Sequence, residues 1–581
     1  MKKILFFAAL LISGLMFTAC SSSDDNPVTP PTPTPTPTPT GKADVVMMYY
    51  AVGGSDLDDD TEEALATVAY DQSTKFANAR TFIQYKYSAK PNPKWDKGYV
   101  MSGDPGCAYR FEASKENLNP NFAINEKGES NIEKVGKVFN LNDKMKVGDK
   151  TYKMYDPNNL KDFINYCMQQ EPNAKVYVLA FGDHGGAYSV TSDYNKSLAQ
   201  SRGVMYDDNF EGNPCMSPTE IATAVKAVGK KIDLVFFDCC LMSNLEVLSE
   251  LHSSNLIDYV FASGHTVTQC PMSLFVEDVV KGLNKGSWLD GAKQYVRDIT
   301  NLKEGFYKKS PSTAGRNMDY TLTDMSKLPA ALASIKAVAE YLVALPDATL
   351  STKMDDFTLA ASSCYQYTNT SPFYDVMSYF NMLKEKVFTN DQKFAQLVEN
   401  AKTAIYACHV AHQEYNYVSD TEKDKPHWNL SYSITLGFNS SRLDFSKVKE
   451  ADKRTVPNQG VIMVAIKAGH GKPADPYYND FMLENGENYY ASWEEGQEVN
   501  VRFVNNYYAK GSHSYESWDN TYRTTAFDGA TKWSAWMKKN TGIPYDNPPL
   551  GDEGNVVFDD NLDDFLNDLN NWLDEVNGAL Q

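Results

Sequence analysis

Continuous apolar runs alternate with amphipathic stretches along the chain from residue 44 onward. Strands are predicted at runs that are apolar, rich in β-branched and aromatic residues and bounded by polar turns: Val45–Tyr50, Thr81–Tyr85, Lys175–Phe181, Ile232–Phe237 and Tyr259–Ser263. Helices are predicted where apolar residues recur at helical spacing: Thr61–Tyr70, Asn158–Met168 and Ser217–Ala227. Apolar strands separated by helices predict an α/β fold with a mostly parallel central sheet flanked by helices on both faces.

The first 42 residues follow a different pattern. Lys2 and Lys3 precede the apolar run Ile4–Met16, which is shorter than the roughly 20 residues of a membrane span and predicts a secretory signal. Cys20 comes next and resembles the acylated cysteine of a bacterial lipoprotein; an ordinary signal peptide is the alternative. The Pro/Thr alternation at residues 27–40 predicts an extended stalk. We therefore expect an extracytoplasmic outer-membrane or cell-surface lipoprotein that meets the membrane through its lipid only.

Composition narrows the classes of partner. Of 581 residues, 42% are hydrophobic and 12% aromatic, which is typical of a folded protein. The 55 basic and 75 acidic residues give a net charge of −20, which opposes binding to nucleic acid. The acidic surface either attracts cationic substrates or serves solubility. The nine cysteines show no CxxC spacing, so no structural zinc site is expected.

Two polar motifs directly follow predicted strands. Residues 182–186, with His184, come after Phe181, and residues 238–242, with Cys240, come after Phe237. The carboxyl ends of neighbouring parallel strands lie at one sheet edge, where chemistry collects in open α/β folds. A histidine and a cysteine at that edge predict a thiol nucleophile with an imidazole partner.

The surrounding residues suit the same chemistry. The amides of Gly185 and Gly186 are candidate donors to an oxyanion, because no Cβ blocks the approach. A helix predicted to begin near Ser243 would lower the pKa of the Cys240 thiol through its dipole.

The two motifs together resemble the histidine and cysteine motifs of the clostripain-like cysteine peptidases, which have the caspase-like fold. The resemblance rests on Asp183–Gly186 and Phe237–Met242, with Glu246 shortly after them. Further stretches that resemble landmarks of the family are Tyr49–Asp58, Asp156–Leu160 with Phe163, Tyr374–Asp375, Leu430–Ile434, Phe527, Trp533 and Trp536. The resemblance covers residues 44 to roughly 541. It implies an endopeptidase acting on proteins or peptides, with Cys240 as nucleophile and His184 as acid and base.

The resemblance also bears on neighbouring residues. Successive residues of an extended strand face opposite ways, so only Cys239 or Cys240 can face the histidine; the family pattern assigns Cys240. Asp238 lies where the family has an acid that selects Arg or Lys before the cleaved bond, although capping the following turn is an equal alternative. Gly264 and His265 stand where a further acid is expected, which argues against such selectivity.

The predicted organisation has five parts. They are a signal with its anchor cysteine (1–20), a linker (21–42), a catalytic core (43–310), a C-terminal part of the family region (311–545) and an acidic amphipathic helical tail (546–581). Self-cleavage between the two dyad strands, where Lys196 and Arg202 lie, is a property of some relatives. Oligomeric state is left open.

No cofactor is expected. Calcium is the alternative, because Asp56, Asp58, Asp59 and Asp60 form an acidic loop, for which a solvated surface is the simpler interpretation. Cys408, His409 and His412 have metal-ligand spacing for a helix, but a packed helix without metal is favoured. The competing function is a surface lipoprotein that keeps the scaffold and binds a peptide, glycan or host protein without cleavage.

Overall fold

The architecture is that of a computed structural model. It describes residues 43–54, 57–76, 78–89, 100–125, 130–188, 203–211, 214–309, 318–353, 356–357, 360, 364–365, 367, 373–415, 432–435, 462–465, 479–482, 488–491, 501–504, 522 and 524–541. Several sequence predictions lie outside these residues: Cys20, the linker 21–42, Asp56, Lys196, Arg202, residues 430–431 and the tail 546–581.

Nine strands of the described chain pair into one mixed sheet. The strands of the chain are β1 (Val45–Val52), β2 (Ala79–Lys86), β3 (Ala108–Glu112), β4 (Lys146–Gly148), β5 (Val176–Gly182), β6 (Ile232–Asp238), β7 (Ile257–Ala262), β8 (Met318–Asp324), β9 (Phe373–Asp375), β10 (His409–Tyr415), β11 (Ser433–Thr435), β12 (Ile462–Ala465), β13 (Asn479–Met482), β14 (Asn488–Ala491) and β15 (Val501–Val504). The large sheet has the order β10-β8-β7-β6-β5-β1-β2-β3-β4. Its central strands β2, β1, β5, β6 and β7 run parallel, whereas the outer strands on both sides are antiparallel.

Helices cover both faces of this sheet. They are α1 (Asp58–Lys75), α2 (Ile132–Val135), α3 (Pro157–Gln170), α4 (Pro218–Val228), α5 (Leu245–His252), α6 (Met272–Asn284), α7 (Trp288–Lys309), α8 (Leu328–Val343), α9 (Asp347–Thr352), α10 (Val376–Met382), α11 (Gln392–Tyr406), α12 (Ala526–Thr531) and α13 (Trp533–Thr541). Apolar residues of α1, α6 and α7 pack on one face, and those of α3, α4, α5 and α8 on the other. The predicted α/β fold with helices on both faces is confirmed.

Strand β1 explains why the sequence shows continuous apolar runs. All of its residues are buried. Even-numbered positions from Val46 to Val52 join the core on one face, and odd-numbered positions from Val45 to Ala51 join the core on the other. A central strand with two buried faces has no polar alternation, which is the signature of a covered parallel sheet.

Local sequence also fixes where helices begin. The Ser217 side chain accepts the Glu220 N–H at 3.2 Å, and the Glu220 carboxylate accepts the Ser217 N–H at 2.8 Å. This capping box begins α4 with Pro218 in its first turn, as predicted. Helix α4 leads directly into β6 and thereby sets where the cysteine loop emerges.

Two predictions about polar clusters are wrong. His409 and His412 lie on strand β10 rather than on a helix, and a register shift between His409 and Ala411 lets their rings stack at 5.2 Å. Asp58 is fully buried at the start of α1 rather than solvated, and it accepts hydrogen bonds from the Tyr85 hydroxyl and the Ser88 N–H. Burial raises the pKa of Asp58 to about 7.

Among the residues that the structure describes, no helix has both the length and the apolar character to cross a membrane. Nor is any group of three or more His, Cys, Asp or Glu side chains in this part of the chain arranged to hold a metal ion.

Candidate active site

The candidate site lies at the carboxyl edge of the sheet, where β5 and β6 end side by side. The two strands pair in parallel, with Phe181 opposite Phe237 and Gly182 opposite Asp238. The rings of Phe181 and Phe237 stack at 5.5 Å, and the Asp183 N–H donates to the Asp238 carbonyl at 3.4 Å. The loops that carry His184 and Cys240 therefore leave the sheet from adjacent positions, His184 exposed and Cys240 half-buried.

The two loops touch through their main chains. A Cβ placed on Gly185 would lie 1.8 Å from the Cys240 carbonyl oxygen and 2.7 Å from the Cys240 nitrogen. Only glycine permits this approach, because these neighbouring atoms are backbone and cannot rotate away. The residue that follows His184 is thus packed directly against Cys240.

The adjacent cysteines have opposite environments. Cys239 is buried in the core, and its Sγ contacts the Phe181 carbonyl at 3.4 Å. Cys240 is half-buried, and its Sγ accepts the Val267 N–H at 3.3 Å. Burial raises the pKa of Cys239 well above its usual value. Of the two thiols, Cys240 is the one beside the loops at the sheet edge.

The thiol of Cys240 has a raised pKa rather than the lowered one expected from a helix dipole. Burial is the main cause, hydrogen bonds from the Val267 and Gly185 amides oppose it, and the charges of Asp238 and Asp183 raise the pKa further. Helix α5 begins at Leu245 rather than near Ser243, and its first amides at Glu246 and Val247 donate to the Asn244 side chain. The predicted lowering of the pKa is therefore wrong.

Asp183 organises the histidine loop, a role that the sequence interpretation did not assign. Its carboxylate accepts the N–H of His184 at 2.6 Å and the N–H of Tyr206. The Gly186 N–H donates to the Gly203 carbonyl at 3.0 Å. The Gly186 amide is engaged within the fold, whereas the Gly185 amide makes a hydrogen bond to the Cys240 thiol.

The segment 203–211, which makes two of these bonds through the Gly203 carbonyl and the Tyr206 N–H, is anchored by a buried ion pair. The Lys86 ammonium and the Asp207 carboxylate are 2.7 Å apart and both fully buried. Burial lowers the pKa of Lys86 and the neighbouring Asp207 raises it. Because an unpaired charge at this depth is strongly unfavourable, the pair fixes the segment against β2.

Asp238 is held inside the site. It is 6% exposed, and its carboxylate accepts the Tyr49 hydroxyl at 3.0 Å and the Cys270 N–H at 2.6 Å. The same contacts raise the pKa of Tyr49, after the larger effect of its burial. These bonds tie β6 to β1 and to the loop after β7, which favours a role in holding the site over direct contact with a substrate.

The loop after β7 forms a wall beside the cysteine. Leu241 has a φ of 62°, a left-handed conformation that costs a residue with a Cβ on the order of 1–2 kcal/mol. The Leu241 N–H donates to the His265 carbonyl at 3.0 Å, and the Ser243 N–H donates to the Ser263 carbonyl at 2.9 Å. The His265 side chain is buried rather than placed on the surface of the site.

The C-terminal residues reach the same region. Glu246 of α5 accepts the Tyr522 hydroxyl at 2.8 Å, and the Tyr522 ring packs edge-on against Tyr188 at 5.6 Å. Glu250 accepts the Ala526 N–H at 2.6 Å. Tyr522 therefore bridges the helix after the cysteine loop and the chain just after the histidine loop, and no spacing in the sequence signals this contact.

The sequence of the chain is similar to that of known peptidases. The sequence pattern described as the clostripain family matches residues 114–540. Over 106 residues the chain is 35% identical to clostripain from Hathewaya histolytica, an alignment that covers 18% of this chain and 19% of that protein. The chain thus matches about a fifth of the length of this curated relative.

Two solved structures are similar in part. One is a secreted C11 cysteine protease from Bacteroides thetaiotaomicron, "iotapain", with a TM-score of 0.44 and 16% identity over 68% of this chain and 94% of that one. The other is a secreted C11 cysteine protease from the same organism in complex with an irreversible peptide inhibitor, with a TM-score of 0.43 and 14% identity over 71% of this chain and 98% of that one.

Replacing Gly185 by alanine tests the main-chain contact. The added Cβ must push the histidine loop away from Cys240, and a displacement of about 1 Å at a reacting group costs on the order of 100-fold in rate. We expect Gly185→Ala to slow the reaction of Cys240 with a peptidyl electrophile by about that factor, measured by mass spectrometry. Gly529→Ala is the control, because a Cβ there meets nothing within 4 Å. Equal labelling of the two variants would contradict the contact.

Proposed function

The chain belongs to the clostripain family, and we propose that it is a cysteine endopeptidase with Cys240 as nucleophile and His184 as acid and base. The observation that carries the proposal is the packing of Gly185 against the Cys240 backbone, which joins the two motifs at one sheet edge. Proteins or peptides are the proposed substrates.

Two features support Cys240 over Cys239 as the nucleophile. Cys239 is enclosed in the core, where no substrate carbonyl can approach. Cys240 is half-buried beside the exposed His184, and its sulfur already accepts an amide hydrogen bond, which stabilises a thiolate.

The reaction proceeds in two stages. The Cys240 proton passes to His184, and the thiolate attacks the carbonyl carbon of the scissile bond to form a tetrahedral oxyanion. The imidazolium gives its proton to the leaving amine, and a thioester remains. His184 then takes a proton from water, and the hydroxide attacks the thioester carbonyl carbon. The carbon–sulfur bond breaks, the Cys240 thiolate recovers the proton from the imidazolium, and the carboxylic acid product leaves.

Hydrogen-bond donors near the thiol would stabilise the oxyanion. The Gly185 amide, whose hydrogen bond already lowers the pKa of Cys240, is the proposed donor. We assign Gly186 to holding the loop, since its amide donates to Gly203. The residues named in this mechanism carry out each step without a cofactor.

We also propose that the protein acts outside the cytoplasm as a lipoprotein. The basic start, the short apolar run and Cys20 support lipid attachment, and the Pro/Thr linker would separate the folded part from a membrane. At about 3.1 Å per residue, an extended linker spans some tens of ångströms.

Active-site labelling tests the dyad. We expect a peptidyl acyloxymethyl ketone to modify Cys240 with one-to-one stoichiometry, because this class of electrophile traps an activated thiol. Cys240→Ala and His184→Ala should abolish labelling, whereas Cys239→Ser, matched in chemistry and adjacent in sequence, should retain it. A wild-type protein that binds peptides but is never modified would support the competing binding function.

Cleavage of matched peptides tests specificity. The Asp238 carboxylate already accepts two internal hydrogen bonds, and His265 stands where a second acid was expected. We therefore expect only a weak preference for Lys or Arg over Gln or Ala before the cleaved bond, measured as kcat/KM. A strong basic preference that disappears in Asp238→Asn would instead assign the selection of Lys and Arg to Asp238.

Membrane fractionation tests the anchor. Expressed with its leader in a bacterium that processes lipoproteins, the full chain should take up labelled palmitate and sediment with membranes. Cys20→Ser should lose the label, because the side chain that would carry the lipid is gone. Cys167→Ser is the control, since Cys167 is buried in the core.

A further inference from the structure

The backbone at residues 263–267 supports the cysteine loop from one side. It accepts the N–H groups of Leu241 and Ser243, and the Val267 N–H donates to the Cys240 sulfur. Whatever holds this backbone therefore also sets the position of the thiol. None of these contacts involves a side chain of the two motifs apart from the thiol itself.

Asp319 of β8 holds the backbone of residues 263–267 in place. Its side chain is fully buried, and Oδ1 accepts the Gly264 N–H at 3.0 Å and the Ser263 hydroxyl at 3.2 Å. The Ser263 Oγ in turn accepts the His265 N–H at 3.0 Å. One carboxylate oxygen thus organises three consecutive residues of the loop.

The sheet brings Asp319 to this position. Strands β7 and β8 pair antiparallel with Ala262 opposite Thr321, so the same register extended by two residues sets Asp319 opposite Gly264. The Asp319 side chain therefore reaches the Ser263 hydroxyl and the Gly264 N–H just beyond the last β7–β8 pair.

The aromatic residues Tyr365 and Tyr367 pack against the other side of the loop. The His265 Nε2 and the Tyr365 hydroxyl are 3.1 Å apart, and the His265 ring packs against Tyr367 at 5.0 Å. A Cβ on Gly264 would lie 2.4 Å from the Tyr367 ring. The loop therefore packs between Asp319 and these rings. Burial lowers the pKa of His265 to about 3, which keeps the imidazole neutral.

We propose that Asp319 is a positioning residue for the nucleophile: it fixes Ser263 and Gly264, and through them the loop that holds Leu241, Ser243 and the Cys240 sulfur. The inference rests on the proposed function of Cys240. Asp319 does not touch the thiol or a substrate and acts only through this backbone.

The hydrogen bonds of Asp319 show which property of its side chain the positioning of the loop requires. Within the described residues, its Oδ2 has no hydrogen-bond partner, so Oδ1 makes the connection alone. Burial raises the pKa of Asp319 to about 7, with His412 lowering it and Glu414 raising it, and His265 Nε2 lies 3.9 Å from Oδ1. Oδ1 accepts hydrogen bonds in either protonation state when the proton resides on Oδ2. An asparagine, which keeps one acceptor oxygen, should therefore replace it.

Labelling kinetics of the full chain test the proposal. The rate at which a peptidyl acyloxymethyl ketone modifies Cys240 is resolved into kinact and KI, with thermal unfolding followed in parallel. Asp319→Ala should lower kinact by about 10- to 100-fold, because the thiol is no longer held in line. Asp319→Asn should restore kinact to near the wild-type value across the pH range. Ser263→Ala, which removes one of the two donors to Oδ1, should lie between them.

Thr321→Val is the matched control. Thr321 lies two residues along the same face of β8 and bonds His412 at 2.8 Å, so this variant loses a buried hydrogen bond that does not reach the loop. Equal kinact for Asp319→Ala and Thr321→Val, at temperatures where both are folded, would overturn the positioning role. So would an Asp319→Asn variant as slow as Asp319→Ala. If wild-type Cys240 itself is not labelled, the proposed peptidase function fails instead, so the two failures are distinguishable.

Discussion

The parallel pairing of β5 with β6 is the constraint on which the candidate site depends. With Gly182 opposite Asp238, the histidine loop and the cysteine loop leave the sheet at neighbouring points. The remaining distance is closed by backbone contact at Gly185, where a side chain has no room. The relation between the two motifs is therefore set by the main chain, which varies less than rotatable side chains do. A shift of either strand by one residue would also reverse which adjacent cysteine faces the core.

Buried carboxylates complete this framework by accepting main-chain amides. Asp183 accepts from the histidine loop and from Tyr206, Asp238 from Cys270, and Asp319 from Gly264. Charge-assisted bonds of this kind are stronger than neutral ones, and they suit loops that have no ladder partners. Part of the acidic excess of the sequence is thus structural. The number of acids near the cysteine is consequently a poor guide to the charge of a preferred substrate.

Sequence patterns predicted the features of the fold that depend on local periodicity. The five central strands, the capping box at Ser217 and the meeting of two loops at one edge all follow from apolar runs and strand order. The patterns failed where the structure is determined by a contact between residues that are far apart in the sequence. His409 and His412 have helical spacing in the sequence but lie on strand β10 with a register shift beside them, and burial against Tyr85 and Ser88 removes Asp58 from solvent. The sequence analysis did not single out Asp319, because its proposed role depends on a loop 55 residues away.

The state of the thiol follows from the balance between burial and hydrogen bonding. Burial raises the pKa of Cys240, and the amides of Gly185 and Val267 offset only part of that effect. A neutral thiol at rest is less prone to oxidation and to reaction with small electrophiles than a permanent thiolate is. In the proposed mechanism, the imidazole of His184 takes the proton of Cys240 as the reaction begins, so the reaction rate would depend on how accurately the two loops are held together. The supports of the loops, and not only the two proposed catalytic residues, would then help to determine the rate.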